Sequence, residues 1–156
     1  MAREENEKEL LEKFKNILIE KYHLQENDIV LSPKNSSKEM DFVIKNIVTK
    51  TAVCLEAKVF DNSQWSSNSF WILFGKILKG RKLKDNSLKK DFDFFEYGFV
   101  FRDEDKTKIK EYIKCIYKED WLIFCENFEV KRIYLVADDS FSVYSAISFY
   151  EFIIKE

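Results

Sequence analysis

Thr51-Ala52-Val53-Cys54-Leu55-Glu56-Ala57-Lys58-Val59-Phe60 is the stretch on which the fold turns. Its β-branched and apolar content predicts a strand, and the unbroken run Ala52 to Leu55 predicts a central one. Glu56 and Lys58 interrupt it two positions apart. Side chains alternate across a strand, so these two share one face, while Val53, Leu55, Ala57 and Val59 share the other. Burying a carboxylate and an ammonium inside a sheet is costly unless they are paired or bind something.

Just upstream, Glu39 to Lys45 reads as a second strand, opened by Asp41-Phe42-Val43-Ile44. The short gap around Asn46 suits a hairpin, which brings Asp41 close to Glu56. Two carboxylates about 4 Å apart repel by about 4 kcal/mol at an effective dielectric constant of about 20. Such a pair calls for a proton or a cation, and carboxylate oxygens with water are the hard ligands that Mg²⁺ takes. The ion in turn binds a phosphate oxygen and polarises an attacking water. Lys58 is placed to orient that water or to neutralise charge building on phosphorus.

Farther out, Glu4 to Tyr22 has apolar residues at three- and four-residue intervals (Leu10, Leu11, Phe14, Ile17, Leu18), which predicts an amphipathic helix. Ile29 to Leu31 is a short strand, and Ser32 to Ser37 a turn. Asp61-Asn62-Ser63 caps a helix running from about Trp65 to Lys79 and ended by Gly80. Then follow a strand over Tyr97 to Arg102, a largely helical Asp105 to Phe124, a strand over Val130 to Ala137 and a last helix over Ser142 to Ile154. The order α-β-β-β-α-β-α-β-α predicts an α/β fold, with one mixed central sheet flanked by helices.

With 156 residues, 46% of them hydrophobic, the chain suits a single domain spanning 1–156. Charged residues make up 35%, above the usual quarter, so much of the surface is ionic. The 26 basic and 28 acidic side chains leave a net charge of −2, which excludes nucleic-acid binding through an overall positive field. Any such binding must rest on a local patch and a metal. Cys54, Cys115 and Cys125 are far apart and His23 is the single histidine, which excludes a Cys/His zinc site. Reduced, buried thiols fit a cytoplasmic protein. The acidic, polar beginning does not read as a signal peptide, and Phe70 to Phe74, the longest apolar stretch, is far too short to span a membrane. No glycine-rich phosphate loop is present, so no nucleotide cofactor is expected.

The pattern Asp41, fourteen intervening residues, then Glu56-Ala57-Lys58 resembles the PD-(D/E)xK nuclease superfamily, the restriction-endonuclease-like fold. The flanks agree: a helix, a hairpin bearing the acids, then a helix. The resemblance covers roughly Glu4 to Lys79 and implies an αβββαβ core with Asp41, Glu56 and Lys58 as catalytic residues. Members similar to archaeal Holliday-junction resolvases also carry a metal-site glutamate on the first helix, followed by apolar residues three, four and seven positions later. Glu7 matches through Leu10, Leu11 and Phe14, which implies a metal set of Asp41, Glu56 and Glu7. Met40 stands where many members have proline, and the helix after the motif often supplies a further residue, for which Gln64 and Lys76 are the candidates.

Lys76, Lys79, Arg81, Lys82, Lys84, Lys89 and Lys90 face one acid, Asp85, a local excess of six positive charges. Beside a nuclease site such a segment grips phosphates, and Lys76, Lys79, Arg81, Lys82 and Lys84 are taken as nucleic-acid contacts. The aromatic run Phe92, Phe94, Phe95, Tyr97, Phe99, Phe101 reads as core or subunit interface. His23 reads as a surface or cap residue, and Asp138-Asp139 and Asp103-Glu104-Asp105 read as helix caps. The expectation is thus a Mg²⁺-dependent endonuclease (Mn²⁺ substituting) that hydrolyses DNA in restriction, phage defence, recombination or repair, with a homodimer implied by the resemblance. The alternatives are an RNA endonuclease of the same fold and a non-catalytic protein-interaction module.

Overall fold

The computed structural model describes residues 3–31, 41–60, 70–72, 74–75 and 91–155. Helix α1 (Arg3–Tyr22) leads through a short 3₁₀ turn into strand β1 (Ile29–Leu31). The hairpin of β2 (Phe42–Asn46) and β3 (Thr51–Lys58) follows, and residues 70–72 and 74–75 are helical. Strand β4 (Phe94–Arg102) precedes helices α2 (Lys106–Ile113) and α3 (Lys118–Asn127). Strands β5 (Val130–Val136) and β6 (Phe141–Ser145) and helix α4 (Ala146–Lys155) end the described chain.

The six strands form one sheet in the order β1-β2-β3-β4-β5-β6. β1, β2 and β3 are antiparallel, β3, β4 and β5 run parallel, and β6 returns antiparallel to β5. The sheet is mixed, and β3 is interior, as its apolar content predicts.

Period-two alternation divides the core into two layers. On one face Leu10, Leu11, Phe14, Ile17 and Leu18 of α1 pack on Phe42, Leu55, Ala57, Val100 and Tyr134. On the other, Ala52, Cys54, Tyr97, Phe99, Phe101, Ile133 and Leu135 meet Phe70, Phe74 and the apolar sides of α2, α3 and α4. Phe92, Tyr97, Phe99 and Phe101 are buried, so that part of the aromatic run is core; Phe94 is exposed.

Several boundaries depart from the sequence reading. Val143 and its neighbours form β6 rather than the first turn of the last helix, because they pair with β5 from Val136↔Phe141 to Arg132↔Ser145. Ser145 then caps α4, its Oγ accepting the Ser148 N–H at 3.1 Å. The segment from Asp105 to Phe124 is two helices. Tyr117 is extended (φ −65°, ψ 140°) and the buried Ile116 turns into the core, a break with no Gly or Pro to announce it. Asp138-Asp139 caps no helix: it lies in the β5–β6 turn, where Lys13 and Lys21 of α1 approach at 3.6 and 3.9 Å. His23 is exposed with φ 60° directly after α1, in keeping with its surface or cap reading. Of the thiols, Cys54 and Cys125 are buried, but Cys115 is exposed.

Candidate functional site at the carboxyl end of strand β3

Glu56 and Lys58 are 5% and 7% exposed, which is rare for charged side chains in a sheet. The β2–β3 register ends at Phe42↔Leu55, and Asp41 lies in the bend one residue before it. Asp41 is fastened across the hairpin: its Oδ2 accepts the Ala57 N–H at 3.1 Å.

Lys58 lies past the last β2 pair, and its ammonium meets α1. Lys58 Nζ is 3.3 Å from Glu7 Oε2, with little solvent access to either side chain. Glu7 is half-buried because it precedes Leu10, Leu11 and Phe14 on the helix face that packs on the sheet, whereas Glu9, Glu12 and Glu20 are exposed. A separate cleft of about 260 Å³, lined by Asn6, Leu10, Lys13, Arg102 and Val136 but by none of Glu7, Asp41, Glu56 and Lys58, opens along α1. It lies at the carboxyl ends of β4 and β5, where open α/β sheets bind ligands.

A support missed by the sequence reading holds this end of β3. Asp105, 2% exposed, occupies the N-cap position of α2 but makes no side-chain cap bond. Instead its Oδ2 accepts the Phe60 N–H at 3.1 Å, and Arg102 grips both carboxylate oxygens at 2.9 Å. Lys108 Nζ donates to the Phe60 carbonyl at 2.8 Å. Both backbone polar groups of Phe60, two residues after Lys58, are therefore held by side chains at the start of α2. Arg102-x-x-Asp105 was the available signal, since a three-residue spacing allows a fork-to-carboxylate pair.

Among the described residues, no group of three or more His, Cys, Asp and Glu side chains is arranged to hold a metal ion. Asp41 and Glu56 nonetheless suit Mg²⁺ by donor chemistry, because this ion keeps several waters and commonly takes one or two carboxylates plus substrate phosphate oxygens. Glu7 is engaged with Lys58. Lys76, Lys79, Arg81, Lys82 and Lys84, with Lys89, Lys90 and Gln64, lie outside the described residues. No helix among the described residues is long and apolar enough to cross a membrane. No protein-family model, curated protein or solved structure matches the chain.

Proposed function

We propose that this protein is a divalent-metal-dependent endonuclease with a restriction-endonuclease-like core, acting on DNA. One observation carries the reading: a buried Glu-x-Lys pair closes a central strand, with an aspartate bonded to the amide between them and a helix glutamate on the lysine. The sheet order supports it, since an antiparallel β1-β2-β3 unit followed by a parallel β4 is the arrangement that the αβββαβ core requires.

In this reading Asp41 and Glu56 hold Mg²⁺ or Mn²⁺, which would supply Lewis-acid polarisation of the phosphate and a more acidic bound water. Glu56 is fixed by the strand and Asp41 by its bond to the Ala57 amide, so neither carboxylate needs reordering to bind. Glu7 orients the Lys58 ammonium and adds negative charge beside the cation. Lys58 directs its donors at the attacking water or at the charge that develops on the phosphoryl oxygens. The Asp105 clamp sets the path of the chain just beyond Lys58.

The test is cleavage of end-labelled DNA and RNA with Mg²⁺ or Mn²⁺. DNA should be cut, the cutting should stop with chelator, and Glu56→Gln and Lys58→Met should each lower the rate at least about 100-fold, the scale of a lost charge-stabilising group. Preferential RNA cleavage would reassign the substrate. Metal-independent cleavage, or full activity in both variants, would overturn the reading.

A further inference from the structure

We infer that Glu7 serves Lys58 and not the metal: it is a positioning residue for the ammonium, and Asp41 and Glu56 hold a single divalent ion without it. The inference rests on the metal site proposed above. It departs from the set of Asp41, Glu56 and Glu7 that the resemblance implies.

The surroundings of Glu7 carry it. Glu7 Oε2 lies 3.3 Å from Lys58 Nζ, and the two side chains are 16% and 9% exposed. Oε2 itself is closed off from solvent. A pair so enclosed is weakly screened, and removing one member strands the other as a buried charge. A divalent ion on the same oxygen would stand within a few ångströms of the ammonium, and their repulsion would be twice that between unit charges. Asp41 is placed differently. Its Oδ2 accepts the Ala57 N–H at 3.1 Å, a neutral donor that fixes the carboxylate and sets no positive charge against a metal.

The lysine stem is long and flexible, so an ammonium without an anion at its end would sample many positions. Glu7 supplies that anion from the helix face carrying Leu10, Leu11 and Phe14, which is itself fixed by packing on the sheet. The same helix thus covers the sheet and aims Lys58 at the site. Charge balance sets the number of ions. Three carboxylates (Glu7, Asp41, Glu56) and one ammonium (Lys58) leave two negative charges, which one divalent ion neutralises.

Electron paramagnetic resonance, which counts free Mn²⁺, tests this with Glu7→Gln/Lys58→Met. The two changes delete one negative and one positive charge together, so the net field at the site is kept and no ion of the pair is left alone. The wild type should bind one Mn²⁺ per chain. The double variant should bind it with a dissociation constant within about threefold of wild type, as expected where no direct contact to the ion is lost. Asp41→Asn should weaken binding at least about tenfold, the scale on which even outer-shell partners of a metal act. Urea melts without metal give a second readout: Glu7→Gln should lower the midpoint more than the double variant does, since only the single change strands the ammonium. Two ions per chain, a loss of affinity in the double variant matching that of Asp41→Asn, or a Glu7→Gln midpoint no lower than that of the double variant would overturn the inference and leave the nuclease reading standing. A wild type that binds no Mn²⁺ would sink both.

Discussion

Lys58 illustrates what a single residue demands of its surroundings. A buried ammonium is tolerated only where an anion stands close, and Glu7 provides one at 3.3 Å from a helix some fifty residues earlier. Asp105 repeats the logic with Arg102, adding a backbone amide as third partner. The two arrangements differ in how far local sequence announces them. Glu7 was legible through its apolar neighbours at helical spacing. Asp105 was not, because an acid ahead of a helix reads as a cap and only the folded chain brings Phe60 beside it. Burial acts differently on Cys125, where no counter-ion is near: the thiol is pushed up from 9.0 to about 12 by loss of solvent. Folding therefore favours the protonated form. Stability is fully present below the unfolded value, 9.0, and falls as pH rises from there towards about 12. Within that window the unfolding free energy should drop by about 1.4 kcal/mol per pH unit from this group. Urea melts of wild type and Cys125→Ala should show that slope difference; parallel alkaline limbs would contradict it.

At the scale of elements, strand β4 sits at the centre of the parallel layer, and its one glycine is a close-approach position. A Cβ at Gly98 would collide with the Arg132 carbonyl oxygen and come within 2.9 Å of Leu55 Cδ2. The register between β4 and β5 also shifts between Tyr97 and Gly98. Gly98→Ala should thus destabilise the fold by about 1–3 kcal/mol through overpacking, read as a lower urea midpoint. An unchanged midpoint would show that the two strands separate at little cost. The elements that sequence made legible were those with one dominant period: α1 by its 3.6-residue stripe, and β3 by its apolar run. The β2–β3 hairpin was legible too, since only four residues separate strands of matching pattern. β6 escaped because Phe141, Tyr144 and Ser145 also fit a helical repeat. Long-range pairing with β5, which no local window contains, decides between the two. The break at Tyr117 escaped for a related reason, as the burial of Ile116 rather than a breaker residue ends α2.

For the whole molecule, topology converts three separated sequence positions into one end of the sheet. The hairpin fastens Asp41 to the Ala57 amide, α1 returns over the same end to bring Glu7 to Lys58, and the β4–α2 connection fixes the chain beyond them. The alternation that places Glu56 and Lys58 together was readable from spacing alone. The ion pair with Glu7 depends on how α1 lies across β3 and β4. The central claim is that this end of the sheet binds a divalent cation through Asp41 and Glu56. A ligand that binds only the native state stabilises it by about 2.7 kcal/mol at 100 times its dissociation constant. Thermal unfolding with and without Mn²⁺, in wild type and in Asp41→Asn, measures this directly. The account predicts a melting temperature raised by several degrees in the wild type and a much smaller rise in Asp41→Asn. No rise in the wild type, or an equal rise in both proteins, would contradict it.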